Sequence, residues 1–197
     1  MHPQAFIFFG SSGSGKGTQA KLLTEYLKET TNRGTLYIET GEKFREFKEK
    51  ENLTSLLVKD IMDHGKLIPE FLPIWIWTDF IIKHFSGNEH LILDGLCRRV
   101  DEAPVLTSAL KFYGFKNPCV IFLGLTEKVA YERMKGRQRK DDTDEYINSR
   151  LAWFQKEVIP AMNYLKNNSY YTFLDINGEQ SIEDVHNEII SKIVMPE

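Results

Sequence analysis

The sequence predicts an α/β fold with three layers, in which a five-stranded parallel sheet is covered by helices on both faces. Short apolar segments alternate along the chain with longer segments of helical periodicity, and this order is typical of parallel strands joined by helical crossovers. The predicted strands are continuously apolar and do not alternate with polar residues. Strands that are buried on both faces have this pattern.

Five strands and eight helices are predicted along the chain. The predicted strands are 5–9, 35–38, 90–93, 119–123 and 170–174. The predicted helices are 16–29, 41–50, 54–64, 71–85, 102–113, 126–135, 143–166 and 182–193. Crossovers in such sheets are right-handed, and ligands bind at the carboxyl ends of the strands. We therefore expect Gly10, Thr40 and Asp94, which follow or end the first three strands, to share one edge.

The composition indicates one ordinary globular domain. The chain has 197 residues, of which 42% are hydrophobic and 27% are charged, and this length suits a single compact domain. The net charge of -3 argues against non-specific nucleic-acid binding, which usually requires a strong positive excess.

Cysteine usage and hydropathy restrict the compartment. Cys97 and Cys119 form no Cys-x-x-Cys pair, so neither a zinc ribbon nor a redox motif is predicted, and a reducing compartment fits best. The apolar segment 71–82 contains Pro73 and Asp79 and is too short to span a membrane. The start of the chain lacks a secretory signal pattern. We expect a cytoplasmic monomer that binds neither membranes nor nucleic acid.

A glycine-rich loop follows the first predicted strand. Residues 10–18 read Gly-Ser-Ser-Gly-Ser-Gly-Lys-Gly-Thr, and such glycines let a backbone bend around a phosphate. The free N–H groups of the following helix bind anionic oxygens, and Lys16 can follow the β- and γ-phosphates. A flexible turn is the alternative interpretation, but the flanking strand and helix favour a P-loop. The position after Lys16 is Gly17 instead of Ser or Thr, and the hydroxyl comes at Thr18.

Asp94 ends the third predicted strand, directly before Gly95. Mg²⁺ prefers oxygen ligands and keeps much of its water, so Asp94 could hold a hydrated ion beside the phosphates. A turn or helix cap is the alternative, since Asp-Gly favours turns. The P-loop predicted earlier in the chain favours magnesium binding by Asp94 over a role in a turn or cap.

Arginines are concentrated where a phosphate-transferring enzyme would need them. Arg133 and Arg137 are four residues apart, a spacing that places two side chains on one face of a helix. The guanidinium fork suits phosphate oxygens. The alternative is a solvated basic face at 133–140, paired with the acidic residues that follow. Four further arginines stand in other segments, namely Arg45, Arg98, Arg139 and Arg150.

Four motifs occur in an order that is specific to one family. Residues 13–19 resemble Gly-x-Gly-Lys-Gly-Thr-Gln, and residues 40–45 are similar to Thr-Gly-Asp-x-Leu-Arg. Residues 65–69 resemble Gly-x-Leu-Val-Pro, and residues 94–98 resemble Asp-Gly-Phe-Pro-Arg. This set resembles the nucleoside monophosphate kinases, and among them most closely the adenylate kinases with a short lid. The resemblance spans nearly the whole chain.

The resemblance implies a role for each matching residue. ATP would be bound by Gly13, Ser14, Gly15, Lys16, Gly17, Thr18, Arg133, Arg137 and Gln180. The acceptor nucleotide would be bound by Thr40, Gly41, Arg45, Lys66, Leu67, Ile68, Gly95, Arg98, Glu102, Arg139 and Arg150. The groups that stabilise the transferred phosphoryl would be Lys16, Arg98, Arg139 and Arg150, with Asp94 holding Mg²⁺ through water. Residues 1–197 would form one P-loop kinase domain with an acceptor-binding insert at 40–75 and a short lid at 137–142.

The implied activity is the reversible transfer of the ATP γ-phosphoryl group to AMP, giving two ADP. Two departures concern the acceptor side: Leu96-Cys97 replaces Phe-Pro, and Glu102 replaces a glutamine that reads the acceptor base. An ionised glutamate accepts hydrogen bonds without donating them, and so pairs more naturally with the N–H groups of guanine. Thr40 is the residue of the adenylate type, and we retain AMP as the expected acceptor.

Other functions stay open at this point. A kinase for GMP, CMP or UMP would carry the same chemistry, and a kinase-like protein with weak catalysis would keep the nucleotide site. A regulatory nucleotide switch is disfavoured because the chain lacks an Asn-Lys-x-Asp element for guanine.

Overall fold

A computed structural model of the chain describes residues 2–137 and 143–193. Its strands are β1 (Ala5–Phe9), β2 (Thr35–Glu39), β3 (His90–Asp94), β4 (Cys119–Gly124) and β5 (Thr172–Asn177). They form a five-stranded parallel sheet in the order β2-β3-β1-β4-β5. The predicted fold class is confirmed. No helix among the described residues is long and apolar enough to cross a membrane.

Nine α-helices connect and cover the described strands. They are α1 (Lys16–Thr30), α2 (Thr40–Phe47), α3 (Leu53–Asp63), α4 (Phe71–His84), α5 (Glu102–Phe112), α6 (Glu127–Gly136), α7 (Asp144–Trp153), α8 (Ile159–Lys166) and α9 (Ile182–Lys192). A π-helical turn, Phe154–Val158, joins α7 to α8.

The central strand β1 divides the hydrophobic core into two parts. Ile7 and Phe9 belong to one buried cluster and Phe6 and Phe8 to another, because successive side chains of a strand point to opposite faces. Helices α4, α5 and α8 supply the first cluster, and α1 and α9 supply the second, with Leu23, Leu27, Val185 and Ile189. Burying a large apolar side chain stabilises a fold by about 1.5–3 kcal/mol. The two clusters therefore stabilise the sheet from both faces.

The strand register brings three carboxyl ends to one edge. Asp94 is in register with Phe8 of β1 and with Glu39 of β2. The segments that follow these strands begin at Gly10, Thr40 and Gly95, and they therefore emerge side by side. The expectation that they share an edge is confirmed.

The outer strand β5 differs from its prediction. It covers Thr172–Asn177 instead of 170–174, and its buried residues, Leu174 and Ile176, alternate with more exposed ones. An edge strand does not need the continuous apolar character of a doubly covered strand. Before it, the Tyr170 hydroxyl donates to the Phe115 carbonyl at 2.7 Å, which fixes this tyrosine outside the strand.

The predicted helix 143–166 is interrupted. The π-helical turn shifts the hydrogen-bond pattern, and the Ile159 N–H donates to the Phe154 carbonyl five residues earlier. Pro160 follows and lacks an N–H group, so the regular α-helical ladder cannot continue through it. Kinks in long helices commonly have such causes.

Candidate active site

The glycine-rich loop has a backbone that other residues could not adopt. Gly10 has a φ of 148°, and a Cβ there would lie 2.5 Å from the Ser14 Oγ and 2.8 Å from the Leu123 carbonyl oxygen. Helix α1 starts directly after Gly15 with no acidic residue in its first turn and no side-chain cap among the described residues. Its first N–H groups and its positive dipole end thus face the loop and can bind an anion.

Lys16 stands at the centre of this loop. Its Nζ donates to the carbonyl oxygens of Gly10 and Ser11, both at 2.9 Å. Burial lowers the pKa of the ammonium to about 8, while the nearby Asp94 carboxylate opposes that decrease. The group still carries its charge at neutral pH, and it is poorly hydrated. A phosphate would therefore be a strong partner for it.

Asp94 lies at the end of β3 and is 4% exposed. Burial raises the pKa of its carboxyl, against the effect of Lys16, and Tyr37 donates to its Oδ2 at 3.5 Å. A Cβ at Gly17 would lie 3.6 Å from that same oxygen, so the first turn of α1 passes close to the carboxylate.

The donor set around Asp94 fits a hydrated magnesium ion. Among the described residues, no group of three or more His, Cys, Asp or Glu side chains could enclose a metal. Mg²⁺ usually keeps several waters and binds one or two carboxylates together with substrate phosphates. Asp94, beside the glycine-rich loop, could supply one such carboxylate.

The predicted acceptor site begins where β2 ends and α2 begins. Thr40 is 2% exposed, and its hydroxyl donates to the Asp94 carbonyl at 3.4 Å. Arg45 donates to Glu39 at 2.9 Å. A Cβ at Gly41 would lie 3.3 Å from Arg45 and 3.8 Å from Arg98, so the backbone at Gly41 approaches both guanidinium groups closely.

Arg98 is held in place by the loop after β3. Its Nε donates to the Gly95 carbonyl at 2.7 Å, and Gly95 adopts a φ of 74°. The guanidinium lies 5.7 Å from the ring of Trp153, within the range of a cation–π interaction. Burial lowers the pKa of Arg98, and the carboxylates of Glu102 and Asp94 oppose that effect.

Glu102 has partners that the sequence did not indicate. Its Oε1 accepts from the N–H groups of Arg98 and Arg99, both at 3.0 Å, and its Oε2 accepts from the Cys97 N–H at 3.1 Å. The residue is 1% exposed. Cys97 has a φ of 56°, which a proline ring forbids, and it contributes an N–H that proline lacks. The two departures, at 97 and 102, are thus joined by one hydrogen bond.

Two of the cavities at the sheet edge share part of their lining, including Gly41, Arg98 and Arg150. The first is lined by most of the predicted acceptor residues: Thr40, Gly41, Lys66, Leu67, Ile68, Gly95, Arg98, Glu102 and Arg150. The second is a cleft of about 610 Å³, a volume typical of ligand sites. The cleft is lined by residues from both predicted sites, including Gly13, Gly15, Lys16, Gly17, Thr18, Arg45, Asp94, Arg98, Arg133, Arg137 and Arg150.

The predicted ATP-binding residues that lie outside the glycine-rich loop are only partly gathered at one place. Arg133 donates to the Gly178 carbonyl at 2.8 Å, although 45 residues separate them. Gln180 donates to the Asn177 carbonyl and to Glu188, beyond the end of β5. Ser14 is buried at 3% exposure. Arg139, and residues 138–142 of the predicted lid, lie outside the described residues.

The residues that line the site but were not predicted from the sequence include Glu39 and Trp153. Glu39 lines the cleft and pairs with Arg45. Its position at the carboxyl end of β2, directly before Thr40, was a signal that could have identified it. Trp153 lines both the first cavity and the cleft. It stands three residues after Arg150, which helical spacing places on the same face.

Comparisons with known proteins agree on one family. A family model described as adenylate kinase matches residues 8–170. The chain is 33% identical over 187 residues to an adenylate kinase of Prochlorococcus marinus (strain AS9601), covering 95% of this chain and 97% of the relative. It is 31% identical over 183 residues to adenylate kinase 1 of Nostoc sp., covering 93% and 95%. An adenylate kinase of Azobacteroides pseudotrichonymphae is 32% identical over 191 residues, covering 94% of each chain.

Proposed function

The chain belongs to the adenylate kinase family, and from this premise we propose that it transfers the γ-phosphoryl group of ATP reversibly to AMP, giving two ADP. Family membership makes it a phosphotransferase enzyme. The observation that carries the proposal is the single cleft in which a phosphate-binding loop faces Arg45, Arg98 and Arg150. A site of this kind can hold two phosphate chains end to end.

The donor side would bind the phosphates of ATP. The N–H groups at the start of α1 and the Lys16 ammonium both lie at the glycine-rich loop. There they would contact the β- and γ-phosphates of ATP. Arg133 and Arg137 border the same cleft. The contact between Arg133 and Gly178 supports placing the base of ATP near the segment after β5.

The acceptor side would bind AMP in the cavity between residues 65–68 and Arg98. Arg98 is fixed by Gly95 and by the Trp153 ring, so its fork can meet the phosphate of AMP without further ordering. The apolar side chains of Leu67 and Ile68 line the cavity and suit a planar base. Thr40 and Gly41 border it from α2.

Asp94 would hold Mg²⁺, directly or through water. When bound, the ion would offset negative charge on the phosphates, as divalent metals do in phosphoryl transfer.

The chemistry needs alignment and charge neutralisation. An oxygen of the AMP phosphate forms the new bond to the γ-phosphorus, and the bond to the oxygen that bridges the β- and γ-phosphates breaks. The phosphate oxygen is already anionic at neutral pH, so no general base is required. The protein must place the two groups in line and offset the charge that develops. Lys16 would do this from the donor side and Arg98 and Arg150 from the acceptor side.

We propose that residues 40–75 form the acceptor-binding insert of a single kinase domain and that 137–142 forms the short lid. Both segments would close over the filled cleft, because water would otherwise compete with AMP for the phosphoryl group.

A panel of acceptors tests the proposal. The enzyme is incubated with ATP, magnesium and one monophosphate at a time, and the products are separated by chromatography. We expect ADP from ATP and AMP, with a higher kcat/KM for AMP than for GMP, CMP or UMP. A higher value for another monophosphate would assign that acceptor in place of AMP, and no product from any of them would overturn the kinase assignment.

A further inference from the structure

The carbonyl of Gly65 is a contact point between the acceptor-binding insert and the body of the protein. It accepts two hydrogen bonds, one from the Ser149 hydroxyl and one from the Trp153 indole N–H, both at 3.1 Å. A carbonyl oxygen has two lone pairs, so both are used. The two donors are four residues apart on α7 and lie on the same face of that helix.

The backbone at Gly65 is also packed against α7. Gly65 has a φ of 62°, and a Cβ there would lie 3.4 Å from the Tyr146 ring and 3.5 Å from the Tyr146 Cα. The loop thus sits on the helix backbone. The following residues, Lys66 and Ile68, form one wall of the acceptor cavity.

Trp153 makes contacts on both sides of that cavity. Its N–H binds the Gly65 carbonyl, and its ring lies 5.7 Å from the Arg98 guanidinium. Arg150, one helical turn before it, lines the same cavity. The indole therefore connects the wall that would hold the base of AMP with the arginines that would hold its phosphate.

We propose that Trp153 is a positioning residue for the acceptor. Trp153 and Ser149 together hold the Gly65 carbonyl by hydrogen bonds. These bonds set the separation between the cavity wall at residues 65–68 and the two arginines, Arg98 and Arg150. This inference rests on the proposed function, since it presumes that AMP occupies the cavity. We call the two hydrogen bonds to Gly65 the Gly65 latch.

Two conservative variants remove the latch one bond at a time. Trp153→Phe keeps an aromatic ring beside Arg98 and removes the N–H donor. Ser149→Ala removes the other donor. Tyr170→Phe is a matched control for the first, because the Tyr170 hydroxyl donates to the Phe115 carbonyl outside the site. Ser191→Ala is the control for the second, because its hydroxyl donates to the Glu188 carbonyl on α9.

Steady-state kinetics separate positioning from general damage. Loss of one neutral hydrogen bond should raise the KM for AMP roughly fivefold to tenfold, and the double variant should exceed either single one. The KM for ATP and the kcat at saturating AMP should stay within about threefold, because the charged groups remain. Both control variants should match the wild type. An unchanged KM for AMP in the double variant, or equal increases for AMP and ATP, would overturn the proposal.

Hydrogen exchange gives a readout that does not depend on activity. Without nucleotide, the amides of residues 65–68 should exchange faster in the double variant than in the wild type, while those of β1 should not change. Faster exchange combined with a wild type that does not phosphorylate AMP would support the latch and refute the proposed function. Unchanged exchange would refute the latch even in an active kinase. Should Trp153→Phe fail to fold, Ser149→Ala alone carries the same two readouts.

Discussion

Single charged residues would define the chemistry proposed for the cleft, and each is held by hydrogen bonds with the backbone. Lys16 donates to two loop carbonyls, Arg98 donates to Gly95, and Glu102 accepts from three consecutive N–H groups. Side chains fixed in this way lose little freedom when a ligand arrives, which is the advantage of a preorganised site.

Substitution of Lys16 should abolish most phosphoryl transfer. Lys16→Ala removes the cation that would lie next to the β- and γ-phosphates, and loss of one charge-stabilising group at such a centre typically lowers kcat about a hundredfold or more. The thermal midpoint should change little, because removal of a poorly hydrated ammonium offsets the loss of its two hydrogen bonds to the loop carbonyls. Lys28→Ala, which alters an exposed lysine of α1, is the control. Turnover close to that of the wild type would remove Lys16 from the mechanism.

Substitution of Glu102 shows whether this residue stabilises the loop at residues 97–99 or recognises the base of the acceptor nucleotide. In Glu102→Gln, the amide NH₂ would face N–H donors, so the free energy of unfolding should fall by about 1–3 kcal/mol. Urea denaturation measures this, with Glu29→Gln at the exposed end of α1 as control. Unchanged stability together with a shifted kcat/KM ratio for AMP and GMP would show instead that Glu102 reads the base, as its place in the sequence predicts.

At the scale of elements, strand β3 carries a buried polar residue at each end. Asp94 ends it in the cleft, and His90 begins it at 0% exposure. The His90 Nδ1 accepts from the Gln4 N–H at 3.1 Å, so this nitrogen carries no proton. Burial lowers the pKa of His90 to about 4, and Arg33 adds to the decrease. The strand therefore loses stability when this ring must be protonated.

The stability of the protein should depend on pH through His90. The unfolded chain takes up a proton near pH 6.5, whereas the folded chain takes it up only near pH 4. As the pH falls from about 7 to 4, protonation of the unfolded state alone should destabilise the fold by up to about 3 kcal/mol. His90→Asn keeps an acceptor for Gln4 without titrating. The difference in unfolding free energy between wild type and variant should shrink over that range, and a constant difference would contradict the lowered pKa.

At the scale of the whole molecule, one sheet edge unites segments that are far apart in the chain. The cleft is lined by the loop after β1, by α2, by the end of β3, and by α6 and α7. The body of the protein is fixed by two apolar clusters on the faces of the sheet. Binding of two nucleotides would therefore move the segments around the cleft and leave the sheet unchanged.

A bisubstrate analogue should stabilise the entire fold. A molecule that joins two adenosines through a phosphate chain would occupy both halves of the cleft. At a concentration of about one hundred times its Kd it should add about 2.7 kcal/mol to the free energy of unfolding, seen as a higher Tm. Lys16→Ala and Arg98→Ala should each reduce the increase, and Lys28→Ala should not. An equal increase in all of these variants would show that the analogue binds elsewhere.

The sequence by itself determined the fold class and placed the glycine-rich loop between the first strand and the first helix. Local patterns were sufficient for both, because strand and helix periodicity and the glycine spacing after β1 each depend on neighbouring residues. The shared edge of Gly10, Thr40 and Asp94 also followed from sequence, since parallel strands place their carboxyl ends together. The alternation in β5 was not predicted, because it depends on the position of the strand at the edge of the sheet. The π-helical turn at Phe154–Val158 was not predicted either, although Pro160 follows it closely in the sequence.

Only the tertiary structure decided which groups hold one another. Glu102 binds its own loop through the Cys97 N–H, Glu39 pairs with Arg45, and Trp153 connects Gly65 with Arg98. Trp153 and Gly65 are 88 residues apart, and no local pattern in the chain connects them. Hydrogen bonds and ion pairs act over a few ångströms in space, so partners distant in sequence become evident only when the fold has brought them together.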